Sequence, residues 1–234
     1  MKVNILSLIN GARKAEGLTV IIDVFRAFSV ACYVFANGAE KIFPVGELKR
    51  AYNLKAKNPE YILIGEREGK KLPECNYGNS PAEVEKVDFT GKKVIHTTSA
   101  GTQGIVNSVN AEEVITGSFV NVQAVVNYIK SSGPEVVSLV GMGEAGKVTA
   151  EEDMMCCQYM KDLLLDKKPQ KFNEIREKLK NGNGRKFFDS DKNWYKKRDF
   201  QLCMKLNKFN FVLKTELFNL EGNEKLISLQ KEEV

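Results

Sequence analysis

Between residue 19 and about residue 165, short apolar runs alternate with longer stretches whose apolar residues recur every three or four positions. The runs at 19–24, 40–45, 61–65, 93–97, 112–117 and 135–141 are rich in Val, Ile, Leu or Phe and end near glycine or a polar cluster. That pattern predicts short buried strands. Lys2 to Leu6 is a further candidate strand. The segments between them predict helices, one of which covers 27–37 and stops at Asn37-Gly38, a pair suited to ending a helix. Two tetrapeptides, "SPAE" at 80–83 and "TAEE" at 149–152, carry the Ser/Thr-x-x-Glu pattern of a capping box. Strand–helix alternation of this kind predicts an α/β protein, with a mostly parallel sheet covered by helices on both faces.

The tail beyond residue 166 has a different texture. It predicts helices at about 170–180 and 199–206, a break at "NGNG" (181–184), and two weaker strands at 209–213 and 225–229. These strands are expected in the same sheet or at an edge of it. No internal repeat or long linker divides the chain, so residues 1–234 read as one domain, with an alternating core over about 18–165.

Composition adds limits. Apolar residues make up 43% and charged residues 28%, which is ordinary for a globular protein. The net charge is +5, and residues 167–198 carry twelve Lys/Arg against four Asp/Glu. No aromatic-interleaved binding motif accompanies that excess, so it reads as a solvated basic segment, and nucleic acid is not the expected partner. No apolar run is long enough to span a bilayer and the N-terminus lacks the pattern of a signal peptide, so no membrane role is expected. Five cysteines without metal-type spacing predict a reducing, cytoplasmic setting. The adjacent Cys156 and Cys157 read as packing residues on a helix. Homo-oligomerisation is left open.

The polar residues gather after the strands. Asp23, Arg26 and Ser29 follow 19–24, and "GEREGKKLPECNYGNSP" follows 61–65. "TTSAGTQG" follows 93–97, "GSFVN" follows 112–117, and "GMGEAGKVTAEED" follows 135–141. In open α/β sheets the ligand crevice lies at the carboxyl ends of the strands. Asp23 and Arg26 therefore read either as the edge of that crevice or as a structural ion pair. Thr97, Thr98, Ser99 and Thr102 offer hydroxyls, while Gly101 and Gly104 let backbone N–H groups approach an anion. Arg26 and Arg67 suit phosphate. Asp23, Glu66, Glu144, Glu151, Glu152 and Asp153 supply hard oxygen for Mg²⁺, which binds through one or two carboxylates plus substrate oxygens. Together these predict metal-assisted chemistry on a small anionic phosphate ester.

Several other routes lack material. No Cys is followed by Arg six positions later, and Asp23 has no second Asp two residues on. His96 is the only histidine and sits in an apolar run, so a zinc site or a Ser-His-Asp triad is not expected. "GMGEAGKV" (141–148) nearly fits the nucleotide-binding phosphate loop, but Val148 stands where a hydroxyl should hold Mg²⁺.

At these residues the chain resembles the 2-phosphosulfolactate phosphatase family. The matching segments are "VIIDVFRAFSVACYVFANGAEKIFPV", "IGEREGKKLPECNYGNSP", "VIHTTSAGTQGI", "ITGSFVN" and "GMGEAGKVTAEEDMMC", in order over roughly 18–165. The tail 166–234, with "RDFQLCMKLNKFNFVL", looks like a diverged version of the family's C-terminal part. The resemblance implies a three-layer α/β/α fold around a mixed sheet. It also implies a cytoplasmic, Mg²⁺-dependent phosphomonoesterase that converts 2-phospho-3-sulfolactate, or a related phosphorylated acid, to the alcohol and phosphate, a step towards coenzyme M. Carried over by motif, Asp23, Arg26, Glu66 and Arg67 would be catalytic. Asn79, Ser80, Thr97, Thr98, Gly101 and Thr102 would bind substrate, with Ser99 beside them. The metal would sit on Asp23 and Glu66 or on Glu152 and Asp153. The chain departs from the family's pattern at Phe28, where Thr is usual, at Ala100, where Asn is usual, and at Gln103, often Arg. A Phe28 ring aimed at the crevice would alter substrate choice; aimed into the core it would not. These losses keep a second class in view, a catalytically silent anion-binding module.

Overall fold

The computed structural model describes residues 1–219 and 225–234. The alternating region runs β1 (Lys2–Ser7), α1 (Leu8–Lys14), β2 (Gly17–Ile22), α2 (Ala27–Ala36), β3 (Lys41–Pro44), α3 (Leu48–Lys57), β4 (Ile62–Arg67) and the short β5 (Lys70–Lys71). It continues with α4 (Pro81–Val84), β6 (Lys93–Thr97), α5 (Gly101–Asn107), β7 (Ala111–Gly117), α6 (Val122–Ser132), β8 (Val136–Gly141) and α7 (Glu151–Leu164). The tail adds α8 (Phe172–Asn181), a 3-10 segment at Asn183–Phe188, α9 (Lys197–Cys203), β9 (Phe211–Asn219) and β10 (Lys225–Glu233). Every sequence-predicted strand forms, within a residue or two at most ends. The tail strands run several residues longer than their apolar cores suggested.

The described strands form one ten-stranded mixed sheet in the order β1-β8-β2-β7-β9-β10-β3-β6-β4-β5. β1, β8, β2 and β7 are mutually parallel, as are β3, β6 and β4. The C-terminal hairpin is not an edge. It lies between the two parallel groups, with β9 antiparallel to β7 and β10 antiparallel to β3. Counting through those antiparallel pairings, β3, β6 and β4 run opposite in sense to β1, β8, β2 and β7. The sheet therefore has two carboxyl edges, one per group, where the alternation pattern suggested one.

Alternate residues of each strand supply two faces. On one, Ile21, Ile42, Ile64 and Val94 join a core with α2 and the buried sides of α1 and α5. On the other, Val20, Ile22 and Leu139 pack with α6 and α7, while Phe43, Leu63 and Ile95 pack with α3. Phe28 belongs to the first core and is 1% exposed. It does not face a crevice, so its departure from the family's pattern is a matter of packing. Cys156 and Cys157 are fully buried, as expected of packing residues, and all five cysteines are free.

Both sequence-predicted capping boxes fail to form. Ser80 precedes α4 but makes no cap bond: its hydroxyl donates to Asp199, the Ala82 N–H goes to the same carboxylate, and the Glu83 N–H goes to the Ser80 carbonyl. α7 is preceded by Ala150 rather than Thr149. A capping box does form at Ser118 and Asn121, which leads the chain from β7 into α6. "GMGEAGKV" is a turn closed by a bridge between Glu144 and Val148, and it does not open directly into a helix.

Candidate active site

Both carboxyl edges deliver residues to one cavity of about 310 Å³. Asp23, just past β2, and Gly143 and Glu144, just past β8, come from one parallel group. Glu66 at the end of β4 and Ser99 and Ala100 past β6 come from the other. Arg26, Asn79, Glu152 and Asp153 complete the set of sequence-predicted residues on its wall.

Four of those residues are nearly buried carboxyls. Asp23 accepts a 3.0 Å hydrogen bond from the Ala27 N–H at the start of α2. Burial, then the charges of Glu66 and Glu152, push its pKa up to about 7. Asp153 accepts from the Val24 N–H (2.8 Å) and the Gly143 N–H (2.8 Å), which fixes its plane. Burial and the neighbouring Asp23 and Glu152 charges push its pKa well up as well. Burial also raises Glu152, whose Oε2 accepts from the Asn183 side chain at 3.0 Å. Glu66 ties the second group together, accepting from the Gly69 N–H (2.7 Å) and the Ser99 N–H (2.6 Å).

Arg26 does not pair with Asp23. Its guanidinium makes a 2.8 Å ion pair with Asp199 and donates to the Trp194 carbonyl (3.1 Å) and the Gly69 carbonyl (2.8 Å). Asp199 is fully buried on α9 and also accepts from the Ser80 hydroxyl (2.6 Å) and the Ala82 N–H (2.9 Å). Ser80 thus stands behind the site, anchoring Asp199. Asn79 lies on the wall, held from behind by His96 at 3.2 Å. Burial pushes the His96 imidazole down to about 4, so it is neutral at ordinary pH.

The threonine loop is built differently from the anion site it resembled. Thr98 and Thr102 are buried and bond each other's backbone and hydroxyl groups. Neither lines the cavity, and neither do Thr97, Gly101 or Arg67. Arg67 donates to the Thr97 hydroxyl (3.0 Å) and to backbone carbonyls of Glu66 and Gly46, so it braces β4 against β6. A Cβ at Gly101 would meet Ala27 Cβ at 2.7 Å and Asp23 Oδ2 at 2.9 Å. The glycine is there to let α5 close on α2 and on the Asp23 carboxyl.

The basic segment of the tail, expected to be solvated, supplies wall residues. Lys186, in the 3-10 segment, is 17% exposed and pairs with Glu144 at 2.8 Å. Tyr195 lies between two cations, with Arg26 Cζ 5.0 Å and Lys186 Nζ 5.2 Å from its ring centroid. The signal for Asp199 was available: an acid inside the apolar pattern of a helix, beside Phe200 and Leu202. Lys186 and Tyr195 carried no such signal among so many neighbouring charges.

Four buried carboxyls and two confined cations around one cavity, at the carboxyl ends of α/β strands, are the kind of site at which an α/β enzyme holds its ligand. The sequence profile of the family described as "2-phosphosulpholactate phosphatase" matches residues 4–217. The chain belongs to this family, whose activity is that of a phosphoric monoester hydrolase. Among curated relatives it is 28% identical to the "Probable 2-phosphosulfolactate phosphatase" of Bacillus subtilis, over 85% of this chain and 87% of that one. It is 36% identical to the protein of the same description from Carboxydothermus hydrogenoformans, over 72% of this chain and 69% of that one. The Thermotoga maritima protein of that description is 37% identical over 62% and 61%.

Proposed function

We propose that this chain hydrolyses a small phosphorylated acid, 2-phospho-3-sulfolactate or a close relative, to the alcohol and phosphate with the help of Mg²⁺. The observation that supports it best is the cluster of Asp23, Glu152 and Asp153, three carboxyls whose proton affinity burial raises on the wall of a cavity that also holds Arg26 and Lys186. Among the described residues no three His, Cys, Asp or Glu side chains form a ready-made cation cage. That donor set fits Mg²⁺ as an ion held by one or two carboxylates and completed by phosphate oxygens and water. Glu152 and Asp153, adjacent at the start of α7, are the pair we assign to it, with Asp23 and Glu66 across the cavity. When bound, the ion neutralises phosphoryl charge.

The chain's own groups do the rest. Asp23, with a pKa near neutrality, takes the proton of an attacking water. Arg26, locked in place by Asp199, offers a fixed positive charge to the phosphoryl oxygens. Asn79, oriented by neutral His96, presents its amide to the substrate. Five buried, unpaired thiols suit a reducing compartment, and no described helix is long and apolar enough to cross a membrane. Phosphate release from a panel of small phosphorylated 2-hydroxy acids, with Mg²⁺ and with chelator, tests this reading. Mg²⁺-dependent release is expected. Binding of those esters without turnover of any would make the chain an anion-binding module.

A further inference from the structure

Two cations stand among the described residues of the cavity wall, and the protein uses them differently. Arg26 spends its terminal nitrogens on Asp199, Trp194 and Gly69. Its place is set by the protein alone. Lys186 is also confined, with its ammonium near the Tyr195 ring and its side chain 17% exposed. Its carboxylate partner is not. Glu144 sits on the turn after β8 and is 58% exposed. An ammonium has three N–H donors, and the bond to Glu144 occupies one. The Lys186 charge therefore faces the cavity beside the buried Glu152 carboxyl, and its one hydrogen-bonded partner is a carboxylate that water can readily re-solvate.

We propose that Lys186 is the specificity-determining residue of this site, binding the substrate's second acid group, a carboxylate or sulfonate, after that group displaces Glu144. The inference rests on the phosphatase reading for the identity of the first group, the phosphoryl. Exchange of one acid for another keeps the half-buried ammonium paired throughout, which makes the swap cheap. An ester without a second acid group leaves Glu144 in place and gains nothing from Lys186. Glu144 is then a competitor, and the two residues should act in opposite directions.

Three esters separate the possibilities: ethyl phosphate, which has no second acid; 2-phospholactate, with a carboxylate; and the phosphate ester of 2-hydroxyethanesulfonate, with a sulfonate. In Lys186→Met, KM for the acid-bearing esters should rise about tenfold relative to KM for ethyl phosphate, the scale of one lost charge-assisted hydrogen bond. Lys186→Arg should restore the preference. In Glu144→Gln the same ratio should move the other way. Whichever acid loses its advantage in Lys186→Met is the one Lys186 binds. An equal loss for all three esters, or weaker binding of the acid esters in Glu144→Gln, overturns the proposal. Thermal stabilisation by the same esters gives the ratios without turnover. If no ester is hydrolysed but the opposed pattern appears in these shifts, the phosphatase reading fails and the role of Lys186 stands. If hydrolysis occurs without the pattern, the reverse holds.

Discussion

Asp23 holds its proton up to about pH 7, whereas the same side chain in the unfolded chain releases it near 3.8. Above pH 7 the folded state therefore carries a buried charge that the unfolded state carries in water. Stability from this group grows as pH falls from about 7 to about 4 and is lost as pH rises through 7. Asp23→Asn keeps an acceptor for the Ala27 N–H and removes the charge. It should raise the unfolding midpoint at pH 8, by stabilisation on the order of a few kcal/mol, and change little near pH 4. The same variant should lose about a hundredfold or more in kcat, the scale for removing a group that acts on the transition state. Unfolding midpoints at the two pH values, beside the rate, check both halves of that expectation. His96 works in the opposite sense. It is lowered to about 4 by burial against an unfolded value of 6.5. The unfolded chain binds the proton first, so stability from this group is present above 6.5 and is lost as pH falls towards 4. Relative to wild type, His96→Gln should therefore gain stability on acidification across that window and Asp23→Asn should lose it, because the raised Asp153 and Glu152 are common to all three proteins. The midpoint differences from wild type, measured from pH 8 to pH 4, should change in opposite directions in the two variants. Differences that change in the same direction would mean that burial does not set these two protonations.

Helix α2 carries the sharpest divergence between pattern and place. Its first turn delivers Arg26 and the N–H that holds Asp23, yet the next residue, Phe28, turns into the core. Phe28→Thr should destabilise the protein by about 3 kcal/mol through the cavity it leaves. The relative kcat/KM for esters with and without a second acid should stay as in wild type. A shift in that ratio with an unchanged midpoint would place the ring at the substrate. The strands were legible because short Val/Ile-rich runs have few other uses, and Asp23 and Glu66 were legible because a carboxylate at the end of such a run demands a partner. The arrangement of the threonines after β6 is not legible, because hydroxyl-rich turns bond themselves as readily as they bond ligands. Here Thr98 and Thr102 satisfy each other. The predicted cap at Ser80 failed for a related reason. The buried Asp199 carboxylate accepts the Ala82 N–H that a cap would have taken, and no local pattern reports a partner so far along the chain. Of the two readings of Asp23 and Arg26, the ion pair does not form, and the actual partner of Arg26 was hidden for the same reason, since Asp199 is 173 residues distant.

At the scale of the whole molecule, the candidate cavity depends on two parallel groups of opposite sense facing their carboxyl ends towards one space. The C-terminal hairpin joins them. Leu213 of β9 pairs in register with Thr116 of β7, and Leu229 of β10 pairs with Ile42 of β3. Both leucines are fully buried. The direct ladder contacts are few, so side-chain burial, not backbone pairing, carries this junction. α9, just before the hairpin, brings Asp199 to Arg26 and so ties the tail to the first group a second time. This arrangement was hidden in the sequence because strand pairing across such distances leaves no periodic trace; an apolar run in the tail looks the same whether it joins an edge or a centre. It follows that the two groups should not melt apart. Leu213→Ala and Leu229→Ala should each cost roughly 3 kcal/mol and lower the midpoint of a single transition. Calorimetry, far-ultraviolet circular dichroism and the fluorescence of Trp194, the only tryptophan, should report that transition together. Trp194 sits against Lys70 at the end of the second group and lends its carbonyl to Arg26 of the first, so its signal reads the seam itself. If either variant instead shows two separated transitions, with Trp194 following the earlier one, the groups are independent folding units and the hairpin is only a tether between them.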